Sequence, residues 1–300
     1  VNRLPENTSG LPDRTPVRAA VAAAAARLAA AGVAAARVDA ELIAASVLDI
    51  PRGRLALSGD FDQADIGRFH SLVTRRAAGE PVQHLTGSAP FRYLELAVGP
   101  GVFVPRPETE LLAGAGVDAL RDQPGEAVVV DLCSGSGAVA LAVAHEVPTA
   151  RVVAVERSAD SLRWLRRNAR RQAAAGDRPI EVLAGDVRDP GLLGEFAGQV
   201  DVLLCNPPYV PDGTPVPPEV ARHDPAEAVF GGPDGLAVIR PVVHRAVTLL
   251  RPGGLFGVEH DDGHAAAVVA LVAADGRFDA VTSHRDLAGR PRFVTARRTG

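Results

Sequence analysis

Four consecutive residues, Asn206-Pro207-Pro208-Tyr209, combine types that could do chemistry together. They follow an apolar run, residues 200–205, that reads as a buried strand. Asn206 offers a side-chain carbonyl and Pro207 a backbone carbonyl, both hydrogen-bond acceptors. Pro208 lacks an N–H and has a fixed φ, which stiffens the turn. The Tyr209 ring supplies a flat apolar surface. Two acceptors beside a ring fit a planar –NH2 group, and that grip suits transfer of a methyl group to an amide or amino nitrogen. The competing reading is a Pro-rich turn with no chemistry, so the rest of the chain has to decide.

A methyl donor needs its own site, and the sequence offers one. Asp131-Leu132-Cys133-Ser134-Gly135-Ser136-Gly137 follows a predicted strand and opens a predicted helix, with Gly135 and Gly137 allowing a tight turn close to a ligand. A dinucleotide fingerprint would need a third glycine where Ala140 stands. Glu156 closes the next strand, where a carboxylate accepts hydrogen bonds from ribose hydroxyls. Gly185-Asp186 ends a third strand, with Asp186 suited to an adenine amino group, and Asn206 ends a fourth. All four positions fall at the carboxyl ends of strands, where open α/β sheets bind ligands. No pyrophosphate is held, so the acid at position 131 is tolerated. The set reads as an S-adenosylmethionine site beside an amide or amine pocket, with S-adenosylhomocysteine as the product.

Those strands must come from an alternating region. From about residue 108 the pattern predicts strands over 127–132, 151–155, 180–183, 200–205 and 254–259, with helices over 138–145, 159–174, 236–250 and 265–273. The last two predicted strands, 278–283 and 292–296, have only a polar loop between them and predict an antiparallel hairpin. Such a series implies a mostly parallel sheet with helices on both faces. Upstream, residues 1–15 read as a disordered lead-in and 16–80 as a small helical bundle with nothing catalytic in it. Within the bundle Gly32 ends one helix, Asp39 caps a second, and Asp62 or Asp65 begins a third. Residues 81–107 read as a hairpin linker, and 108–300 as the catalytic domain.

Composition narrows the function classes. All 32 basic residues are Arg, and with 36 acidic residues the net charge is −4, which argues against coating a long stretch of nucleic acid. The Arg-rich run 163–171 reads as a solvated helix face. Two cysteines, Cys133 and Cys205, make neither a disulfide framework nor a metal cluster and fit a reducing cytoplasm. They end adjacent predicted strands and read as inert thiols. The histidines are scattered; His260 and His264 are four apart but separated by Gly263, so no metal site is expected. No stretch is apolar enough to span a bilayer, and the polar start does not read as a signal peptide.

With these residues in hand, the chain resembles the HemK/PrmC protein-(glutamine-N5) methyltransferases that modify peptide chain release factors. The resemblance covers residues 80–295. It runs through Gln83-His84-Leu85-Thr86-Gly87, Phe91, Pro105-Arg106-Pro107-Glu108-Thr109-Glu110, the glycine loop, Asn206 to Tyr209, Gly231-Gly232-Pro233-Asp234-Gly235-Leu236, Arg251-Pro252-Gly253-Gly254 and Asp286-Leu287-Ala288-Gly289-Arg290-Pro291-Arg292. It implies a Rossmann-like class I methyltransferase domain, with a seven-stranded, mostly parallel sheet, joined by a β-hairpin bridge to a helical substrate-recognition domain. It implies that the acceptor is the glutamine of the Gly-Gly-Gln loop of a release factor, in translation termination. It also implies that residues 133–137, Glu156, Val187 and Asn206 contact the cofactor while Asn206 to Tyr209 hold the glutamine. Arg106 and Glu108 form either a structural ion pair or part of the cofactor mouth. Three places depart from the family pattern: Cys133-Ser134 replaces Gly-Thr, Val187 replaces an aromatic residue, and Glu259-His260-Asp261-Asp262-Gly263-His264 replaces a shorter Glu-x-Gly-x-x-Gln. The alternative acceptor is an adenine N6 or cytosine N4 amino group, which presents the same planar –NH2. The release-factor reading expects a protein substrate, no stable nucleic-acid partner and no membrane.

Overall fold

The computed structural model describes residues 14–121, 123 and 125–300. Most of the expected lead-in lies outside the described residues, but Thr15 is already in a strand. The described residues form two compact units that part after Gly87.

The first unit is helical. Strand β1 (Thr15–Pro16) leads into α1 (Val17–Ala30) and α2 (Ala36–Val47), and β1 pairs antiparallel with β2 (Asp60–Phe61). Helices α3 (Gln63–Ala77) and α4 (Val82–Thr86) complete it. Val17, Val21, Ala24 and Leu28 recur at helical spacing and are buried with Ile43, Phe61, Ile66 and Phe69. Asp62 caps α3 by accepting the Asp65 N–H at 2.8 Å. Asp39, expected to cap α2, instead sits inside its first turn. It is buried there and takes the Arg76 Nε at 2.7 Å, because a carboxylate facing an apolar core needs an opposite charge and not a helix end.

The second unit opens with the hairpin β3 (Ser88–Phe91) and β4 (Leu94–Ala97). Both strands fall within the expected hairpin segment 81–107, in its first two thirds. The segment after the hairpin buries Val98, Val102 and Val104 against Trp164. Helix α5 (Thr109–Leu120) follows, unforeseen from the sequence, with Leu112, Ala113, Val117 and Leu120 on its buried stripe. Then strands and helices alternate: β5 (Val128–Leu132), α6 (Ala138–Glu146), β6 (Arg151–Glu156), α7 (Ala159–Ala175), β7 (Glu181–Ala184) and β8 (Val200–Cys205). Short helices α8 (Pro218–His223) and α9 (Ala226–Val229) precede α10 (Ile239–Leu249), β9 (Leu250–Glu259), α11 (Ala265–Ala274), β10 (Phe278–Arg285) and β11 (Pro291–Arg298).

Seven of these strands make one sheet in the order β10-β11-β9-β8-β5-β6-β7. From β9 to β7 it is parallel, and β11 runs antiparallel to both β9 and β10. Alternation along the strands sends Val130, Val153, Leu203 and Phe256 into one layer with α10 and α11. Val129, Val152, Val202 and Leu204 go into the other layer with α5, α6 and α7. Both faces are therefore covered, which is why these strands read as apolar runs. The chain builds β5 to β7 outward, then returns to place β8 beside β5. That reversal leaves a crevice at the strands' carboxyl ends.

Candidate active site

The crevice is a cleft of about 330 Å³ lined by the ends of β5, β6, β7 and β8 and by segments that follow them. On one side the loop after β5 passes through left-handed backbone at Cys133, Gly135 and Gly137, with φ of 59°, 56° and 88°. Glycine reaches that region freely, whereas a side chain there costs about 1–2 kcal/mol, which Cys133 carries. A Cβ on Gly137 would stand 2.5 Å from Leu165 Cδ1 and 3.1 Å from Leu141 Cδ1, so α6 starts where only a glycine fits. Asn168, fully buried on α7, ties this loop to the hairpin. Its Nδ2 donates to Ser136 O at 2.9 Å and Ala97 O at 3.0 Å, and its Oδ1 accepts the Ala97 N–H at 2.8 Å.

Glu156 ends β6 with its carboxylate turned back onto the loop. Oε2 accepts the Gly135 N–H at 2.9 Å, and Oε1 accepts the Arg157 and Ser158 N–H groups at 2.8 and 2.7 Å. A carboxylate has about four acceptor positions, and three are taken, leaving room for one ribose hydroxyl while all three backbone donors stay bound. Asp131 is buried at the end of β5, and burial pushes its carboxyl up to about 7 against the pull of Ser134 and the Ala140 N–H. Asp186 is more open. Burial works to raise it, but the Arg188 N–H and the Arg188 and Arg157 guanidiniums outweigh that and leave it lowered.

On the other side, Asn206-Pro207-Pro208-Tyr209 leaves the end of β8 and lines the same cleft. Gly231 packs directly on this turn; a Cβ there would stand 2.6 Å from Pro208 O, which accounts for a glycine in that motif. Asn206 Nδ2 donates to Thr109 Oγ1 at 3.0 Å, and Thr109 Oγ1 donates to Glu259 Oε2 at 2.7 Å. Tyr209 Oη donates to Glu259 Oε1 at 3.0 Å. Glu259 is buried at the end of β9. Burial pushes it up to about 7, against Thr109, Tyr209 and Arg292 and helped by Glu108. Arg292 reaches this group because β11 runs antiparallel to β9, pairing Phe293 with Glu259; Asp286 holds its Nη2 at 3.2 Å.

Asp131, Cys133, Ser134, Gly135, Ser136, Glu156, Asp186, Val187, Asn206, Pro207, Pro208, Tyr209 and Arg106 thus all line one cleft. Gly137 stands behind the lining as the N-cap of α6. Of the two alternatives for Arg106 and Glu108, neither survives whole. Arg106 lines the cleft but pairs with Asp224 at 2.6 Å, and Glu108 stands at the N-cap position of α5, outside the lining and without a side-chain capping hydrogen bond. Cys133 and Cys205 are free thiols, and burial pushes the Cys205 thiol well up, followed by the neighbouring Cys133. Among the described residues no group of three or more His, Cys, Asp or Glu is placed to hold a metal ion, and no helix is long and apolar enough to cross a membrane. The sequence reading missed Thr109, Asn168, Glu259 and Arg292 as parts of the site. The rule that found Glu156, an acid at the carboxyl end of a parallel strand, applies equally to Glu259.

Residues 19–87 match the family model described as the PrmC N-terminal domain, and 107–221 the methyltransferase small domain. The release factor glutamine methyltransferase of Mycolicibacterium smegmatis is 53% identical over 284 residues, 95% of this chain and 98% of the relative. Its namesake in Mycobacterium tuberculosis H37Rv is 48% identical over 289 residues, 95% of this chain and 92% of the relative. A 4-amino-L-phenylalanine/4-methylamino-L-phenylalanine methyltransferase of Streptomyces pristinaespiralis is 39% identical over 254 residues, 82% of this chain and 83% of the relative. Among solved structures, the T. thermophilus 16S rRNA N2 methyltransferase RsmC, in complex with AdoMet and guanosine, shares the fold. Its TM-score is 0.50 at 23% identity, over 70% of this chain and 49% of that one.

Proposed function

The chain belongs to the release factor glutamine methyltransferase family, and we propose that it methylates the side-chain amide nitrogen (N5) of the glutamine in the Gly-Gly-Gln loop of a peptide chain release factor. The observation that carries this reading is that the glycine loop with Glu156 and the Asn206 to Tyr209 turn line a single cleft. Bound there, S-adenosylmethionine supplies an electrophilic methyl on its sulfonium and leaves as S-adenosylhomocysteine. Glu156 would hold its ribose with the acceptor position that remains open, and the loop from Cys133 to Ser136 would pack against it. Asp186 and Val187, which line the same cleft, would take its adenine.

A carboxamide nitrogen is a poor nucleophile because its lone pair is delocalised. In this mechanism Asn206 Oδ1 and the Pro207 carbonyl accept its two hydrogens and favour a pyramidal nitrogen with its lone pair aimed at the methyl group. Tyr209 and Pro208 hold the amide plane. The rate comes from positioning and from acceptors placed where positive charge develops on nitrogen. The extra proton leaves late, to water. The step as written uses no metal ion. The helical first unit is assigned to recognition of the release factor, and the setting is the cytoplasm, with no stable nucleic-acid partner.

The test incubates the full chain with methyl-labelled S-adenosylmethionine and, separately, unmethylated release factor, its loop Gln→Ala variant, and duplex DNA. Label on the wild-type factor alone is expected. Equal label on the Gln→Ala variant, or label on DNA, overturns the reading, the latter in favour of a base amino group as acceptor.

A further inference from the structure

Nothing in the reaction as described uses Glu259. It is nevertheless 1% exposed and is tied through side chains to both ends of the turn that grips the amide. The tie has a direction. An ionised carboxylate only accepts hydrogen bonds, and a threonine hydroxyl has one hydrogen to give. Thr109 spends that hydrogen on Glu259 Oε2, so toward Asn206 it can only accept. Asn206 must then present Nδ2 to Thr109 and keep Oδ1 for the cleft. With the amide turned over, the cleft would receive an –NH2 group in place of an acceptor, and two –NH2 groups do not pair. We propose that Glu259, acting through Thr109, is a positioning residue that fixes the orientation of the Asn206 amide and so makes the cleft an acceptor for an –NH2 substrate.

The proposal builds on the amide-methylating reading above. It also implies a dependence on protonation. A protonated Glu259 becomes a donor, and Thr109 is then released to turn its hydrogen toward Asn206 Oδ1. The groups facing Glu259 are Thr109 of α5 and Glu108 just before it, Asn206 and Tyr209 from the turn after β8, and Arg292 of β11 with its partner Asp286. On its own strand end stands His260, lowered by burial. Of these, Glu108 favours the protonated form and Arg292 the ionised one, and burial places the balance at about 7.

Two measurements on the full chain test this, one of which needs no acceptor. The side-chain amide resonances of Asn206, assigned by their loss in Asn206→Ala, are followed by NMR from pH 5.5 to 8.5 with S-adenosylhomocysteine bound. They are expected to titrate with a midpoint near 7 in the wild type, and to stop titrating in both Glu259→Gln and Thr109→Val. In single-turnover methylation of release factor, the wild-type rate is expected to rise with pH through the same midpoint, and Glu259→Gln to lose that limb. Thr109→Val should lower the rate about ten- to a hundredfold, the scale of a lost charge-assisted hydrogen-bond relay. Thr109→Ser should recover most of that loss, and S-adenosylhomocysteine affinity should stay within about twofold throughout. Asn206 resonances that titrate alike in wild type and Thr109→Val would overturn the proposal, as would a Thr109→Val rate within about threefold of wild type. A wild type that leaves release factor unlabelled while its Asn206 amide titrates through Thr109 would defeat the substrate reading and leave this one standing.

Discussion

The two sides of the cleft are built by different means. Around Glu156 the partners are backbone N–H groups one, two and 21 residues away. Around Asn206 they are side chains: Thr109 lies 97 residues away from it, Glu259 lies 150 from Thr109, and Tyr209 lies 50 from Glu259. A wall made of backbone depends on conformation, so it needs glycines at particular φ values and is indifferent to most side chains. Cys133 departs from that need and carries its conformational cost. A wall made of side chains depends on which atom donates and which accepts, and each member constrains the next. Loss of the first kind of wall should appear in cofactor affinity and folding. Loss of the second should appear in turnover.

The sharpest way to break that division is Asn206→Ala. It removes the amide acceptor and leaves the glycine loop untouched. The single-turnover rate should fall by at least about a thousandfold, or about 4 kcal/mol of transition-state stabilisation. Calorimetry should show S-adenosylmethionine affinity within about threefold of wild type. A comparable loss in both would mean the two sides are one unit. The converse is Glu156→Gln, which sets an –NH2 group against backbone donors. Cofactor affinity should fall about ten- to a hundredfold, with turnover at saturating cofactor within about threefold. Next in size is Gly137→Ala. It combines a left-handed φ of 88° with a Cβ 2.5 Å from Leu165, a cost of about 2 kcal/mol that denaturant unfolding should report. An unchanged unfolding midpoint would show that Leu165 and Leu141 move aside freely.

The same division explains what could be read from the sequence. The wall near Glu156 is local: a strand, a glycine loop, an acid at the next strand end. Each is a short pattern with a physical reason, and their order along the chain gives their places on the sheet. Asn206 to Tyr209 was legible for the same reason, because stiffness, acceptors and a ring are all contained in four residues. Thr109 was visible only as one letter of the Pro105 to Glu110 stretch. Its partner at Glu259 depends on α5 packing over β8 and β9, and α5 itself carries Gly114 and Gly116, which blunted its helical pattern. Arg292 depends on β11 entering the sheet antiparallel, which the short loop after β10 foretold, but also on its register with β9, which nothing local encodes. Asp39 shows the opposite error. Its type suggested a helix cap, and only the distant Arg76 makes it a buried ion pair.

The finest test of the side-chain wall is Tyr209→Phe, which keeps the ring and deletes one donor. Burial, then the Glu259 carboxylate, raise the Tyr209 hydroxyl far above its ordinary value, so it stays protonated and donates to Glu259 Oε1 wherever the protein is folded. Without that donor the ionised form of Glu259 loses support, and its midpoint must move up from about 7. The stability sign follows. A carboxyl raised from 4.5 in the fold binds its proton more tightly than the unfolded chain does. Its contribution is therefore full below about 4.5 and is lost as pH rises through about 7; in the variant that loss extends to higher pH. If Glu259 must be ionised for turnover, the variant should be about three- to tenfold slower at pH 7 and should converge on wild type by about pH 9. A deficit of the same size at every pH would mean that the hydroxyl acts by holding the ring in place, with Glu259 as its anchor and not as the group that orients the amide.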